Sequence, residues 1–299
     1  MLIVVYNIQF GLGRDGRIDL DRIAKTIAKA DVAALQEVER NWRPDQTFPD
    51  QAARLGALLP QHHWVHGATV DLDGSSAGAN GRVANVRRQF GNMTLSRLPI
   101  ISTRTLPLPT LPVSGEINDQ SSMLEAVIGN GDRAFRLYNI HLNHLSRRQR
   151  LQQLATAIPF IGESGRRAGM ISAPNLKGGL PVGDWLVLPG GTLPAMPPSV
   201  LFAGDFNSKP DSPEYEQIVG TRDPVYGRLT EIDRFADALS VAGLPEDQGV
   251  TFPASRGKPA ARIDHCFLSI DLIPRIKRAW IDNDADGSDH QPLWVEIDL

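Results

Sequence analysis

The sequence predicts an α/β fold in which helices lie outside a sheet. Three observations predict it. Short apolar runs of four to eight residues recur along the chain and are too brief for helices. A strand, a helix and a second strand follow one another within the first forty residues, the opening of a layered arrangement. Most of the apolar runs end on Asn, Glu, His or Asp instead of simply stopping at a turn.

The opening LIVVYN reads as a buried strand, and GLGRDG after it as a turn-rich loop. Asp19 is placed to cap a helix whose Leu20, Ile23, Ala24 and Ile27 fall at helical spacing. DVAALQE gives a second strand ending on Gln36 and Glu37, and residues 50–59 a helix with Ala53, Leu55 and Leu58 as its apolar face. The stretch 66–91 is rich in Gly, Ala, Ser and Asn and reads as a long loop. MTLS, PIIST, SSMLEAVI and AFRLYNIHL read as strands, the last two separated by the turn GNGD. Ser146 caps a helix with Leu151, Leu154, Ala155 and Ile158 along one side. Residues 162–199 carry many Gly and Pro and form an insertion, functional or mobile, within one domain spanning 1–299. VLFAGDFN is a further strand, Ser212 and Pro213 open a helix, and RIDHCFLSI and PLWVEIDL supply two late strands.

Composition narrows the function classes. The 299 residues are 41% hydrophobic and 22% charged, ordinary for a globular enzyme and far from a disordered chain. The single cysteine, Cys266, excludes a disulfide framework and any zinc site of several thiolates, and its apolar surroundings mark it as inert core. No apolar run approaches the roughly 18 residues needed to cross a bilayer. MLIVVYNIQF lacks the basic lead of a signal peptide, so the expectation is a cytoplasmic protein, or a secreted one if a targeting segment was trimmed. A net charge of −3 does not itself draw in nucleic acid or anionic lipid. No protein partner can be inferred.

The polar residues at strand ends carry the chemistry. Asn139 and His141 sit two apart, as do Asp205 and Asn207, so each pair points to one side of an extended chain. Asn7, Glu37, Asp264, Asp289 and His290 occupy comparable positions at strand borders. Charged groups there need partners, and a hard divalent cation bound by carboxylate and amide oxygens supplies one. Glu37, Asn7 and Asp289 are the right types to hold it. Asp205 suits a water-activating carboxylate and Asn207 a group that positions it. His141 and His290 suit donors to a phosphoryl group, with Asp264 orienting His290.

Together YNIQFGLGRDG, ALQEVE, FGNMTLSRLPI, YNIHLNH, GDFN, RIDHCF and SDHQPLW, in that order, resemble the endonuclease/exonuclease/phosphatase superfamily, which includes DNase I, exonuclease III and neutral sphingomyelinases. The resemblance implies a four-layer αββα sandwich, two mixed β-sheets face to face with helices outside and the site at one edge. It further implies phosphate-ester hydrolysis with Mg²⁺ or Mn²⁺, Ca²⁺ being an alternative. Residue by residue it makes Asn7, Glu37 and Asp289 metal-binding, Asn92 and Asn139 phosphate-binding, and His141, Asp205, Asn207, Asp264 and His290 catalytic. Gln9 stands where abasic-site nucleases carry an acidic residue, and the motif around His141 resembles the sphingomyelinase and DNase branches. The expected activity is a metal-dependent phosphodiesterase or phosphatase on a small molecule or lipid headgroup. A nuclease is the alternative, and a non-catalytic binding protein the remote one.

Other features read as incidental. DNDADG opens like a calcium loop but has Leu293 where a bidentate Glu is required, and His62, His63 and His66 read as surface loop. Two arginine groups, Arg82 to Arg104 and Arg147 to Arg150, are either an anion-binding rim or solvated faces.

Overall fold

The computed structural model describes residues 1–43, 50–129, 133–164, 196–255 and 257–299. The chain runs β1 (Leu2–Asn7), α1 (Leu20–Ile27), β2 (Val32–Arg40), α2 (Gln51–Leu58), β3 (His63–Asp73), a small hairpin of β4 (Ser76–Ala77) and β5 (Val83–Ala84), then β6 (Arg87–Ser96) and β7 (Ile100–Pro107). It continues through β8 (Ser122–Ile128), β9 (Phe135–His141), α3 (Arg147–Ser164), β10 (Val200–Asp205), α4 (Pro213–Val219), the hairpin β11 (Arg222–Asp223) and β12 (Gly227–Arg228), and β13 (Ala236–Asp237). α5 (Ala238–Val241), β14 (Asp264–Leu268), β15 (Ile276–Ile281) and β16 (Leu293–Ile297) complete it.

Two six-stranded mixed sheets result, in the orders β15-β16-β1-β2-β6-β3 and β13-β14-β10-β9-β8-β7. Each has a parallel pair near its centre, β1 with β2 and β9 with β10, and antiparallel neighbours elsewhere. Alternation along β1 shows why the layers form. Ile3 and Val5 join Leu137, Leu201, Ala203 and Cys266 in the apolar seam between the sheets. Val4 and Tyr6 face the other way, onto Leu20, Ile23 and Ile27 of α1 and Leu55 of α2. The second sheet likewise turns Tyr138, Phe202 and Phe267 onto Leu154 and Ile161 of α3 and Ile218 of α4. A strand covered on both faces reads as a continuous apolar run, which is what made these elements visible in sequence. The architecture is the expected αββα sandwich.

Caps agree with the expectation at three helices. Asp19 accepts from the Arg22 amide, Ser212 from Tyr215 and Ser146 from Gln149. Several elements differ. The stretch 66–91 is not a loop: β3, β6 and the β4–β5 hairpin occupy most of it. Ala52, not Ala53, is buried on α2, and on α3 the buried side is Gln153, Leu154, Ala157 and Ile161, with Ala155 exposed. β15 has no counterpart in the sequence reading. His63 and His66 lie on β3, and the His66 ring bonds the Val38 carbonyl at 3.2 Å, so the three histidines are not a loop cluster. Of the 162–199 insertion, 165–195 lie outside the described residues, as do residues 130–132 of the GNGD turn. No helix among the described residues is long and apolar enough to cross a membrane.

Candidate active site

The parallel pairs bring the polar strand ends to one edge. β1 and β2 both run toward it in one sheet, and β9 and β10 in the other. Asn7, His141 and Asp205 continue the inward-facing register of Val5, Leu137 and Ala203 and so meet between the sheets. β14 runs the opposite way and starts at this edge, with Asp264 paired to Asp205. His290 comes three residues before β16, also antiparallel to β1. Gly204 makes the approach of β9 to β10 feasible: at φ +147° a Cβ there would lie 1.9 Å from the Ile140 carbonyl oxygen.

Glu37 reaches the site by a different route. Strict alternation after Leu35, which faces α1 and α2, would send residue 37 to the same helical side. β2 instead carries a bulge between Leu35 and Val38, and Glu37 adopts left-handed φ 59°. The bulge turns its carboxylate toward Asn7, and the strand continues to Arg40 instead of ending at Glu37. The other left-handed non-glycine residues are Gln9, Phe10, Asn41 and Asn207 among the described residues, all on segments bordering this edge.

Asp205 is the hub of the arrangement. Its Oδ1 accepts the Asn207 amide at 2.8 Å and its Oδ2 the Asn7 amide nitrogen at 3.0 Å. The same Asn7 nitrogen donates to Glu37 at 2.9 Å, so one side chain joins carboxylates from both sheets. His141 Nε2 stands 3.5 Å and His290 Nε2 3.7 Å from Asp205 Oδ2. His290 Nδ1 bonds Asp264 at 2.8 Å, and the Phe252 ring packs edge-on against the imidazole with centroids 5.1 Å apart. Asn207 donates its amide nitrogen to the Leu142 carbonyl at 2.9 Å.

Burial opposes a charge on His290, but Asp264, then Asp205 and Asp289, outweigh it and push the imidazole up to about 10. Burial and Asp205 push the Asp264 carboxyl up as well, so His290 and Asp264 titrate as one buried pair. Glu37, Asp205, Asp264 and Asp289 have no Lys or Arg partner among the described residues. One imidazole faces four carboxyl groups there, and Asp264 Oδ1 is buried without a hydrogen-bond partner. Asp205, Asp264 and His290 also place ligand-type atoms within 4.8 Å of one another. An oxygen-rich, over-negative set of this kind fits a hard divalent cation.

Of the two expected phosphate-binding residues, one lies elsewhere and the other is beside His141 with its amide already engaged. Asn139 is fully buried one pleat below His141, donating to the Leu35 and Met93 carbonyls at 3.1 and 3.0 Å and accepting from Gln36 at 2.7 Å. It ties the two sheets together and does not face a phosphate. Asn92 borders a small recess with His141, yet its amide nitrogen donates to the Ser122 and Asn139 carbonyls at 3.3 and 3.1 Å, which spends both N–H groups. The sequence reading missed several supporting groups. Gln9 donates to Asp289 at 2.9 Å, Ser288 to the Asn7 carbonyl at 2.7 Å, and the Asp264 amide donates to Thr251 at 3.0 Å. Gln9 alone left a signal, as the neutral residue in an otherwise acidic motif position. Most of the arginines are engaged elsewhere: Arg87 pairs with Asp71, Arg97 with Asp31, Arg104 with Glu125, and Arg147 and Arg150 with Glu214, whereas Arg88 bonds only the Trp42 carbonyl among the described residues. In the DNDADG segment Asp286 pairs with Arg22.

Among curated proteins, sequence comparison finds no match. Solved structures share the fold at low identity. An endonuclease/exonuclease/phosphatase from Bacteroides vulgatus is 19% identical with a TM-score of 0.64, covering 100% of this chain and 98% of its own. A mannosyl-6-phosphatase from Bacteroides thetaiotaomicron is 16% identical with a TM-score of 0.65 over the whole of both chains. A 3′ phosphatase from Neisseria, bound to product DNA hairpin, is 17% identical with a TM-score of 0.56, again over both whole chains. The family model for endonuclease/exonuclease/phosphatase proteins matches residues 4–290, from the first strand to the imidazole paired with Asp264, and the chain belongs to that family.

Proposed function

We propose that the protein is a metal-dependent phosphoesterase that hydrolyses a small-molecule or lipid phosphate ester by direct attack of water. The observation that carries this reading is the surround of Asp205: a carboxylate fixed by Asn7 and the Asn207 amide, with two imidazole nitrogens within 3.7 Å. Asp205 orients the attacking water and takes its proton. His290, held by Asp264 and protonated on Nε2, donates to the phosphoryl oxygen or the departing ester oxygen, and His141 donates beside it. Glu37 and Asp289 would hold Mg²⁺ or Mn²⁺ through carboxylate oxygens; Asn7, whose amide nitrogen donates to Glu37 and Asp205 and whose Oδ1 accepts from the Gln9 amide, would position those carboxylates in place of the ligand role the resemblance implies. When bound, the cation supplies positive charge to the phosphoryl oxygens. A mannosyl-6-phosphatase and a 3′ DNA phosphatase among the similar structures support ester cleavage as the reaction class while differing in substrate.

The test is the initial rate on bis(p-nitrophenyl) phosphate and p-nitrophenyl phosphate with Mn²⁺ or Mg²⁺, repeated with chelator and with Asp205→Ala. Chelator-sensitive cleavage lost in the variant is expected, and the preferred ester separates phosphodiesterase from phosphatase. Cleavage that survives chelation, or persists within a few-fold in Asp205→Ala, refutes the mechanism.

A further inference from the structure

The sheet edge beside Glu37 carries a row of flat side chains. β2 and β6 pair Val38 with Gly91 and Glu39 with Phe90, so Phe90 lies across from a residue two places beyond Glu37. Phe90 also borders the recess that contains His141. The Trp42 ring follows, centroids 5.9 Å from Phe90 and tilted by 48°. The Arg88 guanidinium lies 5.4 Å from the Trp42 centroid. It is held there by Nε and Nη2 donating to the Trp42 carbonyl at 3.1 and 2.8 Å. Nearer Gln9, the Arg43 guanidinium sits 4.0 Å from the Phe10 ring centroid and donates to Glu39 through Nε at 3.2 Å and Nη2 at 3.0 Å.

This row is not core packing. Phe10, Trp42, Arg43, Arg88 and Phe90 are all half-buried and belong to none of the three apolar clusters. Phe10 is held in a left-handed conformation, φ 46°, unusual for an aromatic residue. Two N–H groups of each guanidinium are spent on the carbonyl or carboxylate beside it. The row therefore offers π faces and guanidinium planes whose orientation the spent N–H groups fix. Such a surface suits a planar heterocycle better than a sugar, whose hydroxyls each seek a partner. Arg43 is neutralised by Glu39, whereas Arg88 has no carboxylate partner among the described residues, which favours an anionic ligand.

We infer that Phe10, Trp42, Arg43, Arg88 and Phe90 form a stacking platform for the base of a nucleotide whose phosphate ester lies at Asp205. This inference deepens the phosphoesterase reading and rests on it for the position of the phosphate. Both a free nucleotide and the end of a nucleic-acid strand present that chemistry.

The test reads binding, not turnover, in the Asp205→Asn protein. Affinities for adenosine 5′-monophosphate, ribose 5-phosphate and a short DNA strand with a 5′-phosphate are measured by calorimetry, alone and with Trp42→Ala, Trp42→Phe or Phe90→Ala added. Base stacking predicts that the nucleotide binds at least about tenfold more tightly than the sugar phosphate. Trp42→Ala and Phe90→Ala should shrink that ratio to near unity, and Trp42→Phe should largely keep it, which separates stacking from a folding defect. A strand much tighter than the mononucleotide identifies nucleic acid as the source; equal affinity identifies the free nucleotide. Equal binding of nucleotide and sugar phosphate overturns the inference, as does discrimination that survives both alanine variants. Absence of hydrolysis by the wild type, with base discrimination intact, would sink the reaction and leave the platform standing.

Discussion

Asn7→Ala removes a side chain that joins the two sheets at their reactive edge. Its amide nitrogen donates to Asp205 on β10 at 3.0 Å and to Glu37 on β2 at 2.9 Å. Hydrogen bonds to charged acceptors are worth about 1.5–3 kcal/mol each. The Asp205 bond is buried and counts in full, while water reaches half-buried Glu37 and replaces most of the second. The expected loss is about 2–4 kcal/mol in chelator-treated protein. Asn7→Asp has the same shape but sets a third carboxylate about 3 Å from two others, and like charges at that distance repel by about 5 kcal/mol at an effective dielectric constant near 20. It should therefore be the less stable variant at pH 7. Added Mn²⁺ should raise its midpoint more than that of the wild type, because the cation relieves the added repulsion. Urea denaturation at pH 7, with chelator and then with Mn²⁺, reads all three proteins. Asn7→Ala within about 0.5 kcal/mol of wild type, or Asn7→Asp as stable as Asn7→Ala, would refute the bridge as a stabilising element.

Three further outcomes are expected. Asp205→Ala should lower kcat by about a thousandfold with the circular dichroism spectrum unchanged, and a loss below about tenfold would remove Asp205 from proton transfer. Glu37→Gln should raise the Mg²⁺ concentration for half-maximal activity at least about tenfold, and an unchanged metal titration would place the ion elsewhere. Asp237 is buried among His265, Tyr215 and Arg262, the last at 3.2 Å. Burial alone would raise its carboxyl, but His265 and Arg262 outweigh burial and hold it below the usual range. A depressed folded-state value contributes stability above the unfolded value, near pH 4, and that contribution is lost as pH falls through the folded one. Asp237→Asn should thus cost about 3–5 kcal/mol at pH 7, a deficit that shrinks below about pH 4 in urea midpoints. A deficit constant down to pH 3 would mean that the carboxylate charge is not what stabilises the native state.

What was legible in the sequence follows from burial. β1, β2, β9, β10, β14 and β16 are covered on both faces and read as apolar runs whose polar ends fall at one edge. β3 and β15 are the outer strands of their sheet and largely half-exposed, so neither shows a continuous run nor a clean alternation. Asn139 and His141 mark a different limit. A period of two assigns both to the inner face, as observed, but carries no depth, and one pleat separates a residue at the opening from one sealed between the sheets. The aromatic row was equally hidden, because Trp42 and Phe90 come from segments that only the β2–β6 register brings together, and Phe10 sits on a third segment at a left-handed turn under the Arg43 guanidinium.

The bulge at Glu37 yields a test with an inverted sign. In an ordinary strand, alanine is more stable than glycine by about 0.5–1 kcal/mol, because glycine loses more backbone freedom on folding. At φ 59° the order should reverse, since a left-handed conformation costs a residue with a Cβ about 1–2 kcal/mol. Glu37→Ala and Glu37→Gly both lose the bond from Asn7 and both remove the charge, so their difference isolates the backbone. The glycine variant should be the more stable by about 0.5–1 kcal/mol, and both should lose metal-dependent activity. If alanine proves the more stable, the backbone at residue 37 is not left-handed in solution. The carboxylate would then follow the strand's alternation toward α1 and α2, the metal set would lose Glu37, and the cation would fall to Asp205, Asp264 and Asp289. If glycine is the more stable, the chain carries a strained residue there that glycine would relieve, and the gain that offsets the strain is a carboxylate aimed between the sheets, beside Asn7 and Asp205.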